Sequence, residues 1–274
     1  TGKSTLLRGV AREMDIGFEF VEGNAELTPA RLVGHFDPAR VLSEGYDPDV
    51  FVAGPLAAAL QDGSLLYIEE LNRVPEETLN VLITVMSERE LNVPRLGRIE
   101  AAPGFRLVSA MNPFDAVGTA RISSAVYDRV CRISVDYQSL EDEAMIVRKE
   151  TVTVSPGQLN DVDAAWRDGV VALVRSTREH PDLRIGSSVR GAIDMVMVAN
   201  SLSAIRSAEP HTPSVSLDAA LVALSGRVRL REGTSRTAED VIRELWEAVF
   251  GRSTSDGGDG EGKAGAPTGG TTSS

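Results

Sequence analysis

The sequence predicts an α/β domain built on a parallel sheet, followed by an all-helical domain. Three observations carry that expectation. Up to about residue 138, strand-like and helix-like stretches alternate. From Ser139 to Gly251 only helical patterns occur. Within the first part, "SLLYIEE" is a continuous apolar run ending in two carboxylates, the pattern of a strand buried on both faces of a parallel sheet. The expected division is therefore 1–138, 139–251 and a tail at 252–274.

The elements follow in order. Residues 4–13 read as a helix, and "FEFVEG" (18–23) alternates like a short strand. From 28 the text is irregular, punctuated by Pro29, Pro38, Pro48 and Pro55, until "GPLAAALQDG" predicts a helix from Pro55 with Gly63 just past its end. After the buried strand, "VPEETLNVLITVMSERE" places Leu79, Leu82, Ile83 and Met86 on one face of an amphipathic helix. "ELNVPRLGRIEA" reads as a hairpin with a Pro/Gly-containing tip. "FRLVSAMN" (105–112) and "VCRISVDY" (130–137) read as two further strands.

Ser139 with Asp142 is a capping box that opens the helical part. Val162, Trp166, Val170, Leu173 and Val174 form one stripe there, and Val189, Ile193, Val196 and Asn200 another. "TAED" (237–240) is a second capping box, ahead of Ile242, Leu245, Trp246 and Val249. Residues 252–274 are Gly, Ser, Thr and Asp with almost nothing apolar, so they are expected to be disordered.

Composition narrows the function. The 274 residues are 42% hydrophobic, enough for a substantial core. Net charge is −12, and the tail carries only −1 of it, so the folded part is strongly acidic. Such a surface repels nucleic acid at long range, and nucleic acid is not an expected partner. The single cysteine, Cys131, allows no intrachain disulfide and fits a reducing, cytoplasmic setting; it is expected in the core. No apolar run approaches the roughly 20 residues of a bilayer span. His35, His180 and His211 lack metal-ligand spacing.

Five places have chemistry to offer. The chain begins "TGKST", and Gly2-Lys3-Ser4 is the closing half of the phosphate-binding pattern G-x-x-x-x-G-K-[ST]. In that pattern the ammonium meets phosphate oxygens, the hydroxyl coordinates Mg²⁺, and the following helix points its free N–H groups at the anion. Glu69-Glu70 ends the buried strand, where two carboxylates are costly unless something positive meets them. Asn112 closes another apolar strand at the carboxyl edge of the sheet, where open parallel sheets bind ligands. Arg129, in "SSAVYDRV", and Arg190, in "SSVRGAIDMV", are ambiguous from local sequence. Each of these features alone is common.

Taken in order, they resemble an AAA+ ATPase, and the wording resembles the MoxR-type branch. "TGKST" is similar to the end of Walker A, and "LLYIEELNRVPEETLNVLITVMSERE" to Walker B and its following helix. Glu70, Asn72, Arg73 and Pro75 give the E-x-N-R-x-P continuation of that branch. "VSAMNPFDAVGTARISSAVYDRV" resembles the sensor 1 strand, its loop and the arginine-finger segment, and "IGSSVRGAIDMV" the sensor 2 helix of the lid.

The resemblance implies an ATP-hydrolysing remodelling or chaperone-like protein that forms a homo-oligomeric, hexameric ring and works with a von Willebrand factor A domain partner. It implies that Gly2, Lys3, Ser4, Thr5 and Arg190 bind ATP, and that Ser4 and Glu69 hold Mg²⁺. Glu70 would be the base, Asn112 the sensor positioning the attacking water, and Arg129 a finger reaching the neighbouring subunit's site. Asn24 would restrain the catalytic glutamate. The hairpin near 90–101 and the region around 34–52 match that branch's inserts. Two departures stand out. Position 69 is Glu where the family usually has Asp. The opening half of Walker A and the strand before it are not in the sequence, so the core is expected to lack them. A low-turnover nucleotide switch or scaffold and a phosphate-loop small-molecule kinase are the other classes compatible with these residues.

Overall fold

The computed structural model describes residues 2–112, 122–151 and 161–251. The expected disorder of 252–274, and the loop that follows Asn112, lie outside the described residues. The chain divides into two compact units, Gly2–Ser134 and the residues from Val135 onward.

In chain order the first unit opens with α1 (Lys3–Glu13), β1 (Phe18–Glu22), α2 (Pro29–Val33), β2 (Gly34–Phe36), α3 (Pro38–Glu44) and β3 (Phe51–Ala53). It continues with α4 (Pro55–Asp62), β4 (Leu65–Glu69), α5 (Glu76–Glu88), β5 (Glu90–Val93), β6 (Gly97–Glu100), β7 (Arg106–Ser109) and α6 (Ser124–Tyr127). The sheet that positions the site has the order β1-β4-β7. β4 pairs in parallel with both neighbours, Glu69 lying opposite Glu22 and Ile68 opposite Ser109.

Alternation along β4 splits its side chains between two faces. Leu66 and Ile68 are buried in a core with Leu56 and Leu60 of α4 and Leu79, Leu82 and Val85 of α5. Leu65, Tyr67 and Glu69 take the opposite face. α4 starts at Pro55 and stops at Gly63, whose φ of 68° is the left-handed conformation that glycine takes without strain. The hairpin forms as expected, with β5 and β6 antiparallel.

Three expectations need correction. The stretch 28–54 is not irregular. Its prolines occupy the first helical position of α2 and α3, where the missing N–H has no intrahelical partner to lose. Thr28 caps α2 by accepting the Arg31 N–H at 3.3 Å, and Asp37 caps α3 by accepting the Ala39 N–H at 2.9 Å. β2 and β3 close this segment as an antiparallel pair.

Second, no strand forms at 130–137. Val130, Ile133 and Val135 are 39%, 83% and 54% exposed. Alternation alone does not hold a strand; a ladder to a neighbour does, and among the described residues this segment has none. Third, Cys131 is exposed, not in the core, because it lies in that unpaired segment.

The second unit comprises α7 (Leu140–Thr151), α8 (Asp161–Glu179), β8 (Leu183–Ile185), α9 (Val189–Arg206), α10 (Pro213–Leu224), β9 (Arg229–Leu230) and α11 (Ala238–Phe250). It is helical apart from the antiparallel ribbon β8–β9, too short to leave a period-2 pattern. The second capping box forms in full, Thr237 and Asp240 exchanging bonds of 3.1 and 3.0 Å; at the first, Ser139 Oγ accepts the Asp142 N–H at 3.1 Å and donates to Asp142 Oδ2 at 2.9 Å. The helices share one apolar core that includes Val170, Val174, Val196, Leu224 and Ile242. The indole N–H groups of Trp166 and Trp246 both donate to the buried Ser216 hydroxyl at 3.0 Å.

One charged residue is locked into this unit. Glu143 is 1% exposed and meets Arg178 at 2.7 Å and Arg175 at 2.9 Å. Removing one member of such a group leaves buried charge uncompensated, which costs about 3–5 kcal/mol. Glu143→Ala is therefore expected to lower the denaturation midpoint of the helical unit strongly. Tryptophan fluorescence reports it selectively, since both tryptophans of the chain lie there.

Candidate functional site

The site is built at the carboxyl edge of the β1-β4-β7 sheet. α1 begins at Lys3, directly after Gly2, whose φ of 66° is left-handed and which caps the helix with no side-chain bond. The first intrahelical acceptance is the Gly2 carbonyl by the Leu6 N–H at 2.9 Å. The N–H groups of Lys3, Ser4 and Thr5 therefore have no helical acceptor and face outward with the positive end of the helix dipole. Lys3 and Ser4 are half-buried and Thr5 is exposed. The first turn carries no acidic residue to compete with an anion.

The acid pair stands beside this terminus. Ser4 Oγ donates to Glu69 Oε1 at 3.1 Å, across 65 positions of sequence. The chain reverses out of β4 at Glu70, which has φ 53° and ψ 45°, a left-handed conformation unusual for a residue with a side chain. That turn swings the Glu70 carboxylate to Arg73 at 3.1 Å. Both groups are about 40% exposed, so the pair holds weakly and leaves the carboxylate available.

The backbone around the acids is pinned from both sides. The Gly23 N–H donates to the Glu69 carbonyl at 2.7 Å, and the Leu71 N–H to the Ala110 carbonyl at 3.0 Å. Gly23 is a site residue that sequence reasoning missed. A Cβ there would fall 2.5 Å from the Glu70 carbonyl oxygen and 2.7 Å from that of Glu69. The one available sign was a glycine immediately after a short strand. Gly23→Ala is expected to push the acid pair out of register and reduce turnover by about 10²-fold, the scale of a 1 Å misplacement at a reacting centre. Comparing steady-state rates of the folded variant and wild type checks it.

Oxygen donors at this point suit a hard cation. Among the described residues no group of three or more His, Cys, Asp or Glu could hold a metal by itself. Mg²⁺ needs no such cage, since one or two side-chain oxygens with phosphate and water complete its shell. Ser4 and Glu69 present two oxygens 3.1 Å apart at this point. The longer side chain of Glu69 reaches the serine hydroxyl directly.

The remaining sequence candidates are dispersed. Asn112 is exposed, three positions beyond β7 on the same carboxyl edge. Asn24 is engaged in its own turn, accepting the Glu26 N–H at 2.9 Å and donating to the Glu22 carbonyl at 3.3 Å. Glu70 has Arg73 for its partner instead. Arg129 follows α6 and is exposed; its Nε donates to Ser87 Oγ at 2.7 Å and its Nη1 to the Ala125 carbonyl at 2.9 Å. Ser87, in the last turn of α5, is a contact that sequence reasoning did not foresee. Arg190 belongs to the second unit, exposed in the first turn of α9.

Residues 1–130 match the family described as AAA domain (dynein-related subfamily). The gas vesicle ATPase GvpN of Haloferax mediterranei is 29% identical over 220 residues, 74% of this chain and 60% of that protein. GvpN2 of Halobacterium salinarum is 28% identical over 260 residues, 89% of this chain and 70% of that protein. The chain spans 52% to 60% of the length of the first curated relatives it matches. Among solved structures, the Thermotoga maritima RuvB Holliday junction branch migration motor superposes with a TM-score of 0.50 at 16% identity, covering 81% of this chain and 58% of that one. Parallel sheet, uncapped helix start, strand-end acids and the helices that follow agree with these likenesses: the chain has the AAA+ fold, an α/β core on a parallel sheet followed by a helical region.

Proposed function

We propose that this chain binds ATP with Mg²⁺ between the α1 N-terminus and the end of β4 and hydrolyses it to ADP and phosphate, as part of a MoxR-type, ring-forming remodelling protein. The observation that carries the proposal is the meeting of Ser4 with Glu69 at 3.1 Å beside an uncapped helix start, with Glu70 next in the chain. Relatives named gas vesicle ATPases support the reaction.

Lys3 and the N–H groups of Gly2 through Thr5 would meet phosphate, Arg190 the γ-phosphate from the helical lid of residues 139–251. Ser4 and Glu69 would hold the cation, which when bound neutralises charge on the phosphates. Glu70 would take the proton of the attacking water, and Asn112 would orient that water. Arg129 would act on the nucleotide of an adjacent subunit in a homo-oligomeric, hexameric ring of the MoxR kind, with a von Willebrand factor A domain protein as partner. In the described residues no helix is long and apolar enough to cross a membrane.

One observation favours the switch reading. The direct Ser4–Glu69 bond joins the two groups proposed to hold the cation, so loading competes with it for Glu69 Oε1. Steady-state phosphate release from the intact protein, with no acceptor substrate, separates the classes. Sustained Mg²⁺-dependent release is expected; a single slow turnover would favour the switch, and release only with an added acceptor a kinase.

A further inference from the structure

Tyr67 is the largest fully buried side chain of the first unit, and its hydroxyl has no hydrogen-bond partner. A buried hydroxyl left unpaired is destabilising, and phenylalanine would fill the same space without that cost. Its placement is specific. Tyr67 and Glu69 are two apart on β4 and so share a face. The ring packs against Phe20 at 5.9 Å and Phe18 at 6.2 Å between centroids, and the Arg8 guanidinium covers those two rings at 5.2 and 4.9 Å. With only two side-chain torsions and two rings packed against it, the Tyr67 side chain has a restricted direction.

The next side chain on that face is Glu69, with Ser4 bonded to it. Burial pushes the Tyr67 hydroxyl pKa up, and the side chains that further act on it are Ser4 and Glu69. Both stand near the oxygen without the geometry of a hydrogen bond, and they bond to each other instead.

We propose that Tyr67 is a positioning residue whose hydroxyl partners the oxygens around a magnesium nucleotide held by Ser4 and Glu69. The inference rests on the nucleotide reading above. It accounts for a polar atom kept in the core without a partner: when Ser4 and Glu69 rearrange around the cation, the hydroxyl meets their oxygens. It acts through those groups and takes no part in proton transfer.

The test compares wild type with Tyr67→Phe in the intact protein. ADP affinity is measured calorimetrically with Mg²⁺ and with the metal chelated, and thermal unfolding is followed without ligand. Tyr67→Phe is expected to melt at or above the wild-type temperature and to bind metal-free ADP as wild type does. The gain in ADP affinity that Mg²⁺ confers should fall about tenfold, the scale of losing an outer partner of a metal ligand. An unchanged Mg²⁺ gain would overturn the inference while leaving the nucleotide site intact. A melting temperature lowered by several degrees would also overturn it, by showing that the hydroxyl is structural. A wild type that gains nothing from Mg²⁺ would overturn the nucleotide reading itself, and this inference with it.

Discussion

Glu70→Gln is expected to bind ATP with near wild-type affinity and to hydrolyse it about 10²–10⁴-fold more slowly, the range that general-base catalysis supplies. The amide keeps the size of the carboxylate, but it exchanges one acceptor oxygen for an NH2 donor and cannot take a proton at neutral pH. The fold should tolerate the change. Glu70 sits in a left-handed turn fixed by the bonds of Gly23 to Glu69 and of Leu71 to Ala110, none of which uses its side chain. Only the ion pair with Arg73 is lost, and an exposed pair of this kind contributes at most about 1 kcal/mol. Nucleotide affinity and phosphate release measured on one preparation test the assignment. Normal turnover would place the base elsewhere, and lost affinity would assign Glu70 to binding.

What the sequence disclosed depended on how local each feature is. β4 was legible because a strand buried on both faces has no polar positions until it ends, and α4 because Pro55 and Gly63 mark its two ends within ten residues. Lys3, Ser4, Glu69 and Glu70 were legible as fragments of a chemical pattern, each tied to an element end. α2 and α3 were hidden by the same prolines that begin them: Thr28-Pro29 and Asp37-Pro38 are helix starts as much as breaks, and only the cap residues tell the two apart. The segment 130–137 has the alternation of a strand, but pairing depends on a neighbour that local text does not contain. Gly23 and Tyr67 were invisible for a related reason. Their significance lies in groups from 46 to 63 positions away, the Glu69 and Glu70 carbonyls for one and the Ser4 hydroxyl for the other.

Arg129→Ala is expected to bind ATP almost normally yet hydrolyse it roughly 10³-fold more slowly, the scale of a lost arginine finger. The structure gives this residue an unusual mounting. Ser87 Oγ at the end of α5 and the Ala125 carbonyl of α6 hold the guanidinium, and it remains exposed. None of its bonds goes to Ser4, Glu69 or Glu70. A cation fixed at the surface and apart from its own acid pair is suited to a neighbour's site. It is needed only as charge develops on the transferring phosphoryl group, so its loss should spare binding. Mixing distinguishes action across an interface from action within a subunit. Arg129→Ala subunits keep Glu70, and Glu70→Gln subunits keep Arg129. Where the two co-assemble, some interfaces join an intact base to an intact finger, and part of the wild-type rate should return. Activity of the wild type should also rise with protein concentration as interfaces form. If the two inactive variants stay inactive in assemblies shown to contain both, Arg129 does not serve a neighbour, and the ring-forming motor loses its main residue-level support.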